Sequence, residues 1–380
     1  MRARRTGLYI HIPFCHARCA FCAFYLEIHR DDAAERFLTA FEQELTLRVN
    51  AGFFHDPSHR VETIYLGGGT PTSLRPDQLV RLLAQIRQMT PLDANAEVTV
   101  EAHPDGLTPK MLTALREAGV TRLSLGAESL DQAELIRVGR PGQATSIMTA
   151  VTQARACGFT NINFDVMFGL PGQTAASWSA TLDGLLALEP THLSCYALTV
   201  EPGTALAHAI AQGFKPAPDP ELQTTCELIA EQRLTHAGYE RYELSNYAKP
   251  GWSCRHNRLH WEGDNYLGLG PSAESYVDGV RFGNVADLDR YVAMLATGRL
   301  PIAHEETLSL EAQRREAVVF GLRQLVGVPQ ALVDRAACDT DWHMRVERLL
   351  AEGLLETQDG RLRFTRRGRQ LADSVADALV

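Results

Sequence analysis

No stretch of 18 or more apolar residues occurs in this 380-residue sequence, so a helical membrane span is not expected. Basic residues are in deficit: 37 Lys and Arg against 46 Asp and Glu leave a formal charge of −9. That balance removes the electrostatic drive for bulk binding to nucleic acid or to an anionic membrane. The opening MRARRTG is positively charged, but no apolar signal core follows it, so no export is expected either. A Walker A loop is missing, because LGGGTPT (Leu66 to Thr72) is not followed by Gly-Lys-Ser/Thr. Five of the eight cysteines (Cys157, Cys195, Cys226, Cys254, Cys338) are scattered without a disulfide-like framework, which fits a reducing cytoplasm.

The other three are packed together. Cys15, Cys19 and Cys22 form a C-x3-C-x2-C cluster directly after a short apolar alternation, Leu8 to Ile12. Three thiolates this close repel one another unless something positive binds them, and iron–sulfur clusters are held in this way. A cubane of four irons needs four ligands, so three cysteines leave one iron open to a substrate or cofactor. The alternatives are a zinc site completed by His11 or His16, or three unrelated thiols.

The rest of the chain alternates short β-rich runs with helical patterns. Strands are expected at Leu8–Ile12, Thr63–Leu66, Glu97–Glu101, Arg122–Leu125, Asn161–Met167 and His192–Ala197. Helices are expected at Asp32–Val49, Pro76–Gln88, Pro109–Ala118, Gln143–Cys157 and Ala175–Leu188, with Thr174 as an N-cap and Gly119 and Gly158 as stops. Strand-then-helix units in series predict an α/β fold with a parallel sheet, either a six-strand partial barrel or a doubly wound sheet. In parallel barrels the working residues sit at the C-terminal ends of the strands. A small C-terminal unit follows, from Leu308, with helical patterns and a strand-turn-strand turning at Asp359-Gly360. Its arginines (Arg361, Arg363, Arg366, Arg367, Arg369) read as solvated charge rather than a nucleic-acid surface.

The cysteine cluster, with the aromatic Phe21 just before its last cysteine, resembles the signature of the radical S-adenosylmethionine (radical SAM) enzymes. The wider wording, YIHIPFC and CAFCAF, is similar to the branch related to oxygen-independent coproporphyrinogen III oxidase. The resemblance implies a 4Fe-4S cluster that chelates S-adenosylmethionine, on a partial (β/α)6 TIM-like barrel spanning 1–238. It also implies an accessory region at 239–304 and a winged-helix-like C-terminal domain at 305–380. Gly68, Gly69 and Thr70 match the motif for the methionine end of the cofactor, although a tight turn alone would explain them. Glu101 in VTVEAHP matches a cofactor-binding glutamate; a salt bridge to Arg122 is the plainer alternative. RLSLGAES resembles R-L-S-x-G-x-Q, with Glu128 where glutamine is usual, and glutamine donates where an ionised glutamate only accepts. Arg140 in VGRPG, Asp165 in NFDVMFGLPGQT, and Tyr9 match further cofactor contacts; a solvated arginine, a core hydrogen bond and a strand aromatic are their respective alternatives.

Three functions are implied by that resemblance. One is a heme chaperone that keeps the cluster and passes heme to a heme-accepting protein. The others are the porphyrinogen oxidase itself and a radical methyltransferase or cyclopropanase on the same scaffold. The chaperone reading is favoured, because only 14 residues precede Cys15 and Phe24 stands where the oxidase carries a fourth cysteine. His256 is then the expected ligand of heme iron, with His260 or Cys254 as a second ligand and a loop hydrogen bond as the plainer alternative; its segment reads His256-Asn257-Arg258-Leu259-His260-Trp261, with histidine for the usual tyrosine. An electron donor such as a flavodoxin or ferredoxin is the implied further partner.

Overall fold

Apolar alternation sets six parallel strands, and all six form: β1 (Thr6–Ile12), β2 (Val61–Gly68), β3 (Leu92–Ala102), β4 (Arg122–Glu128), β5 (Asn161–Phe168) and β6 (His192–Ala197). They are seen in a computed structural model that describes residues 5–54, 60–337 and 340–379; Cys338 and the first four residues lie outside these. The returning helices are α1 (Asp31–Asn50), α2 (Pro76–Met89), α3 (Pro109–Glu117), α4 (Gln132–Arg137), α5 (Ser146–Ala156) and α6 (Ala175–Leu186). Thr174 caps α6 by accepting from the Ser177 N–H at 3.1 Å, and Gly119 and Gly158 follow α3 and α5 at φ of +86°. Helix α5 begins three residues later than the pattern predicts, because a separate turn closes there first, from Ser146 N–H to the Gln143 carbonyl at 3.0 Å.

The sheet does not close into a barrel. Both of its edges are extended by one later segment. After α7 (Ala205–Ala211) and α8 (Pro220–His236), β7 (Glu240–Arg241) and β8 (Asn246–Ala248) add antiparallel beside β6. The chain then passes through α9 (Arg255–Trp261) to the opposite edge, where β9 (Asn265–Leu269) lies parallel to β1. Strands β10 (Glu274–Val277), β11 (Val280–Asn284) and β12 (Ile302–Thr307) continue antiparallel, the last reached through α10 (Leu288–Ala296). The order across the 12 strands is β12-β11-β10-β9-β1-β2-β3-β4-β5-β6-β8-β7.

Period-two alternation divides the sheet into two unlike faces. Leu8, Ile10 and Ile12 of β1 and Ile64 and Leu66 of β2 are fully buried in the core beneath the helices. Their neighbours Tyr9, His11, Thr63 and Tyr65 point the other way, where the buried side chains include Arg122, Ser124, Asn163 and His192. The second core, around Val318, Trp342, Leu349 and Leu362, belongs to the C-terminal unit that starts with α11 (Leu310–Gly321). Its wing turns at Asp359-Gly360 with φ of +52° and +68°, the left-handed pair that a two-residue hairpin needs. Three arginines of this unit have partners inside the molecule: on the wing, Arg361 on the Val326 and Gly327 carbonyls and Arg363 on Glu356; on the helix after it, Arg369 on Glu231.

Glu44 of α1 joins the early and late halves of the sheet. Its carboxylate accepts from the Gly270 N–H at 2.9 Å, the Asn284 amide at 2.7 Å and the Tyr291 hydroxyl at 2.7 Å, with Arg48 beside it. Glu44→Ala would leave those buried donors without an acceptor, so we expect a loss of roughly 3–5 kcal/mol in chemical denaturation. A loss under about 1 kcal/mol would assign the junction to apolar packing instead.

Candidate functional site

The cysteine loop starts where β1 ends. Phe14–Cys15 pairs with Glu27–Ile28 in a two-stranded ribbon, and His29 N–H returns to the Cys15 carbonyl at 2.9 Å, so the loop between them is pinned at its base. Its far side is held by Ala20, whose N–H reaches the Val138 carbonyl at 2.9 Å and whose carbonyl accepts from Leu206 at 2.8 Å. Phe21 packs there with Val138, Leu170, Leu198 and Leu206. Cys19 and Cys22 share one turn, and Arg140 Nη1 donates to Cys19 Sγ at 3.7 Å. Cys15 Sγ lies 3.3 Å from the Thr70 hydroxyl. Burial pushes the Cys15 and Cys19 thiols up, Cys22 adds to both, and Arg140 pulls both back down. Three thiols set this closely are the kind of donor set that an iron–sulfur cluster would take. The zinc alternative lacks its completing imidazole. His11 is engaged by the Tyr25 carbonyl at 2.9 Å and the Tyr9 hydroxyl at 3.2 Å, while His16 is exposed and packs edge-on to His29. Among the described residues, no three His, Cys, Asp or Glu side chains gather around a single-ion site.

The glycine loop is stitched to the cysteine loop. Gly69 N–H reaches the Ile12 carbonyl at 2.8 Å and Thr70 N–H the Phe14 carbonyl at 2.7 Å. Those two donors therefore serve the fold. Side chains are excluded at Gly68, which sits at φ +98° with its missing Cβ 2.6 Å from the His11 ring, and at Gly69, whose Cβ would meet the Phe14 carbonyl at 2.6 Å.

Glu101 and Glu128 stand at the C-terminal ends of β3 and β4, and Asp165 lies three residues before the end of β5. Glu101 accepts from the Tyr65 hydroxyl at 2.7 Å, and burial beside Asp165 pushes its carboxyl up to about 7. Arg122 is not its partner; that guanidinium lies among Cys254, Glu97, Tyr65 and Tyr242, with Nε and Nη1 unbonded. Asp165 accepts from Ser124 at 2.8 Å and from Asn163 at 3.0 Å. Glu128 sits at φ +51°, with Oε2 3.2 Å from Arg140 Nη2 but without hydrogen-bond geometry. Burial pushes Glu128 up to about 7, against the pull of Arg140. Arg140 thus bridges a cluster cysteine, the Gly126 carbonyl at 2.8 Å and Glu128. Glu101, Glu128, Asp165 and Arg140 meet at one end of the sheet, and an unbonded buried oxygen on Glu128 suits a ligand that donates.

Tyr9 lies behind them, stacked on Tyr65 at 6.4 Å between ring centroids, and both line a cavity of about 640 Å3. That volume is in the range of small-molecule and cofactor sites. The cavity runs from Gly68 and Glu101 to α9 and α11, with Phe24, Tyr266 and Trp261 among its aromatic walls. Helix α9 is held by Glu97, which accepts from the Arg255 and His256 N–H groups at 3.2 and 3.1 Å and from Cys254 Sγ at 3.5 Å. His256 is buried against Tyr65, with Nδ1 2.8 Å from the Thr63 hydroxyl and Nε2 3.2 Å from His260 Nε2. Burial keeps both imidazoles neutral, His260 pushed down to about 4.

Tyr65 and Glu97 are absent from the sequence-based set. Tyr65 lies in register with Tyr9 on the neighbouring strand and Glu97 four positions before Glu101 on its own, so strand pairing and alternation are the signals that point to them.

The Glu128 carboxyl sets a pH dependence. An acid raised on folding is penalised when ionised, so its contribution is full below the ordinary value of 4.5 and is lost as pH rises through about 7. The melting temperature of Glu128→Gln should therefore decline less than the parent's from about pH 5 to pH 8. Glu128 is itself one of the groups that raise Glu101, so the variant also relaxes Glu101, and this flattens the decline further in the same direction. Parallel declines would show that Glu128 ionises as freely folded as unfolded.

Comparison with known proteins supplies the family. The Radical SAM superfamily pattern matches residues 9–185 and the HemN C-terminal domain pattern residues 308–371. The heme chaperone HemW of Mycobacterium tuberculosis is 38% identical, across 100% of this chain and 96% of its own length. The heme chaperone HemW of Bacillus subtilis is 32% identical, across 98% of each. Among solved structures, coproporphyrinogen III oxidase (HemN) from Escherichia coli, described as a radical SAM enzyme, superimposes with a TM-score of 0.86 at 26% identity, over 99% of this chain and 90% of that one. The chain belongs to the radical SAM superfamily, in the HemN-like branch close to the heme chaperone HemW.

Proposed function

We propose that this chain is a heme chaperone. In this reading Cys15, Cys19 and Cys22 bind a 4Fe-4S cluster, and S-adenosylmethionine is held beside it by Tyr9, Phe21, Gly68, Gly69, Thr70, Glu101, Glu128, Arg140 and Asp165. Residues 1–238 carry that assembly, 239–304 the accessory wall with α9, and 305–380 the C-terminal domain. The cavity of about 640 Å3 is the observation that carries the reading: it joins the cofactor end of the sheet to a pair of neutral histidines and is walled by aromatic rings. A flat apolar macrocycle fits such walls, and a neutral imidazole is the form that ligates heme iron.

The cluster supplies one-electron reduction of S-adenosylmethionine when bound, with a flavodoxin or ferredoxin as the electron source. The chain's own residues set the surroundings. Arg140 balances the Cys19 thiolate, the Thr70 hydroxyl orients Cys15, and Glu101 and Glu128, both raised to about 7 by burial, each exchange a proton around neutral pH. On α9, ligation by His256 would require it to give up Thr63 or His260. His260 keeps Nδ1 without a described partner while its Nε2 is oriented by His256, which is how a metal-binding histidine is usually held. His260 is therefore our axial ligand, with His256 behind it.

Porphyrinogen oxidation is the second reading, favoured by the superposition on HemN from Escherichia coli. Heme titration separates the two. Chaperone function predicts a Soret band on adding heme, which His260→Ala abolishes or shifts with the cluster absorbance intact. Loss with His256→Ala alone would return ligation to His256. The triple Cys15, Cys19, Cys22→Ala variant should lose iron and the broad visible absorbance of the cluster; stoichiometric zinc in the anaerobically purified parent would overturn the cluster assignment. A parent that binds no heme yet consumes coproporphyrinogen III is an oxidase.

A further inference from the structure

Two arginines line the cavity, and they are placed differently. Arg281 is paired, with Nη2 2.6 Å from Glu316 and Glu306 beyond. Arg323 has no carboxylate within ion-pair distance among the described residues, and its buried Nε makes no hydrogen bond. The guanidinium lies over the Trp261 ring, 4.6 Å from the centroid. Stacking fixes the plane of the fork and leaves its N–H edges free, the geometry that takes a carboxylate side-on. Trp261 Nε1 is itself buried and unbonded, a further donor at the same place.

The backbone beneath is rigid. Arg323 N–H reaches the Phe320 carbonyl at 3.1 Å, its own carbonyl accepts from Leu244 at 3.0 Å, and Leu325 N–H reaches Tyr242 at 3.1 Å. Glu243 is the nearby acid. It accepts from the Ser245 N–H at 3.0 Å through Oε1 and leaves Oε2 unbonded; burial pushes it up, and Arg323 and Arg241 pull it back down. Among the described residues no hydrogen bond or ion pair joins it to Arg323, so the edges of the guanidinium are left for a ligand.

We propose that Arg323, laid over Trp261, is the carboxylate-binding subsite of this cavity, and that the acid it takes is a propionate-type arm of the macrocycle. The inference rests on the heme-binding reading above and adds which end of the ligand is recognised. Trp261, the ring that Arg323 covers, follows His260 directly on α9, so the acid anchor is held beside the metal ligand and the two fix the ligand's orientation.

The probes are hemin and hemin dimethyl ester, titrated into the full-length, cluster-loaded protein. The parent should bind hemin about tenfold more tightly than the ester, the size of one charge-assisted contact. Arg323→Gln should weaken hemin by about tenfold and leave the ester within roughly twofold of the parent. Arg323→Lys should recover part of the preference, because a point charge replaces the fork. Equal affinities of the parent for the two probes, or equal weakening of both in Arg323→Gln, would overturn the subsite while leaving the chaperone reading in place. The parent comparison needs no variant, so misfolding cannot mask it. A parent that takes up neither probe would overturn the heme reading and the subsite together.

Discussion

Everything on the cavity face depends on how Glu97 is satisfied. A carboxylate on an inward strand position is costly without partners, and here the start of α9 provides them through Cys254, Arg255 and His256. That convergence plants a seven-residue helix against β1 and β2, although a helix so short has little stability of its own. With α9 fixed, His256 falls against Tyr65, His260 against Tyr266, and Trp261 under Arg323. The cavity is thus made by polar satisfaction rather than by apolar collapse, the reverse of the core on the other face of the same sheet.

The two loops at the opposite end are equally interdependent. The glycine loop gives its N–H groups to the base of the cysteine loop, and Thr70 touches Cys15. Arg140 closes the circuit by touching Cys19 and Glu128 together. Any movement of the thiols is therefore felt by the carboxyls at the strand ends, and the reverse.

Much of this was legible in the sequence. Period-two runs located the six strands because their outward residues are uniformly apolar, and Thr174, Gly119 and Gly158 act locally, through one cap and two left-handed turns. The cysteine spacing and the carboxyls at strand ends were readable for the same reason, since they are short-range patterns. What escaped is long-range. Nothing near Ala248 signals that the chain will leave one sheet edge and return at the other, and Asn265–Leu269 pairs with a strand some 260 residues earlier. The partners of Glu101 and Glu97 come from β2 and α9, so a local reading offered Arg122 in place of Tyr65. The hydrogen-bond partner of His256, Thr63, likewise lies far back in the chain.

The pairing of β1 with β9 has a consequence during synthesis. Until Asn265–Leu269 leaves the ribosome, β1 has one open edge carrying unpaired peptide groups, directly before the cysteine loop. At translation rates of about 5–20 residues per second, the roughly 250 residues between them take on the order of ten to fifty seconds. For that interval the β1 edge and the three thiols of the loop that follows it stay uncovered by the late strands, so the loop is exposed through most of the chain's synthesis.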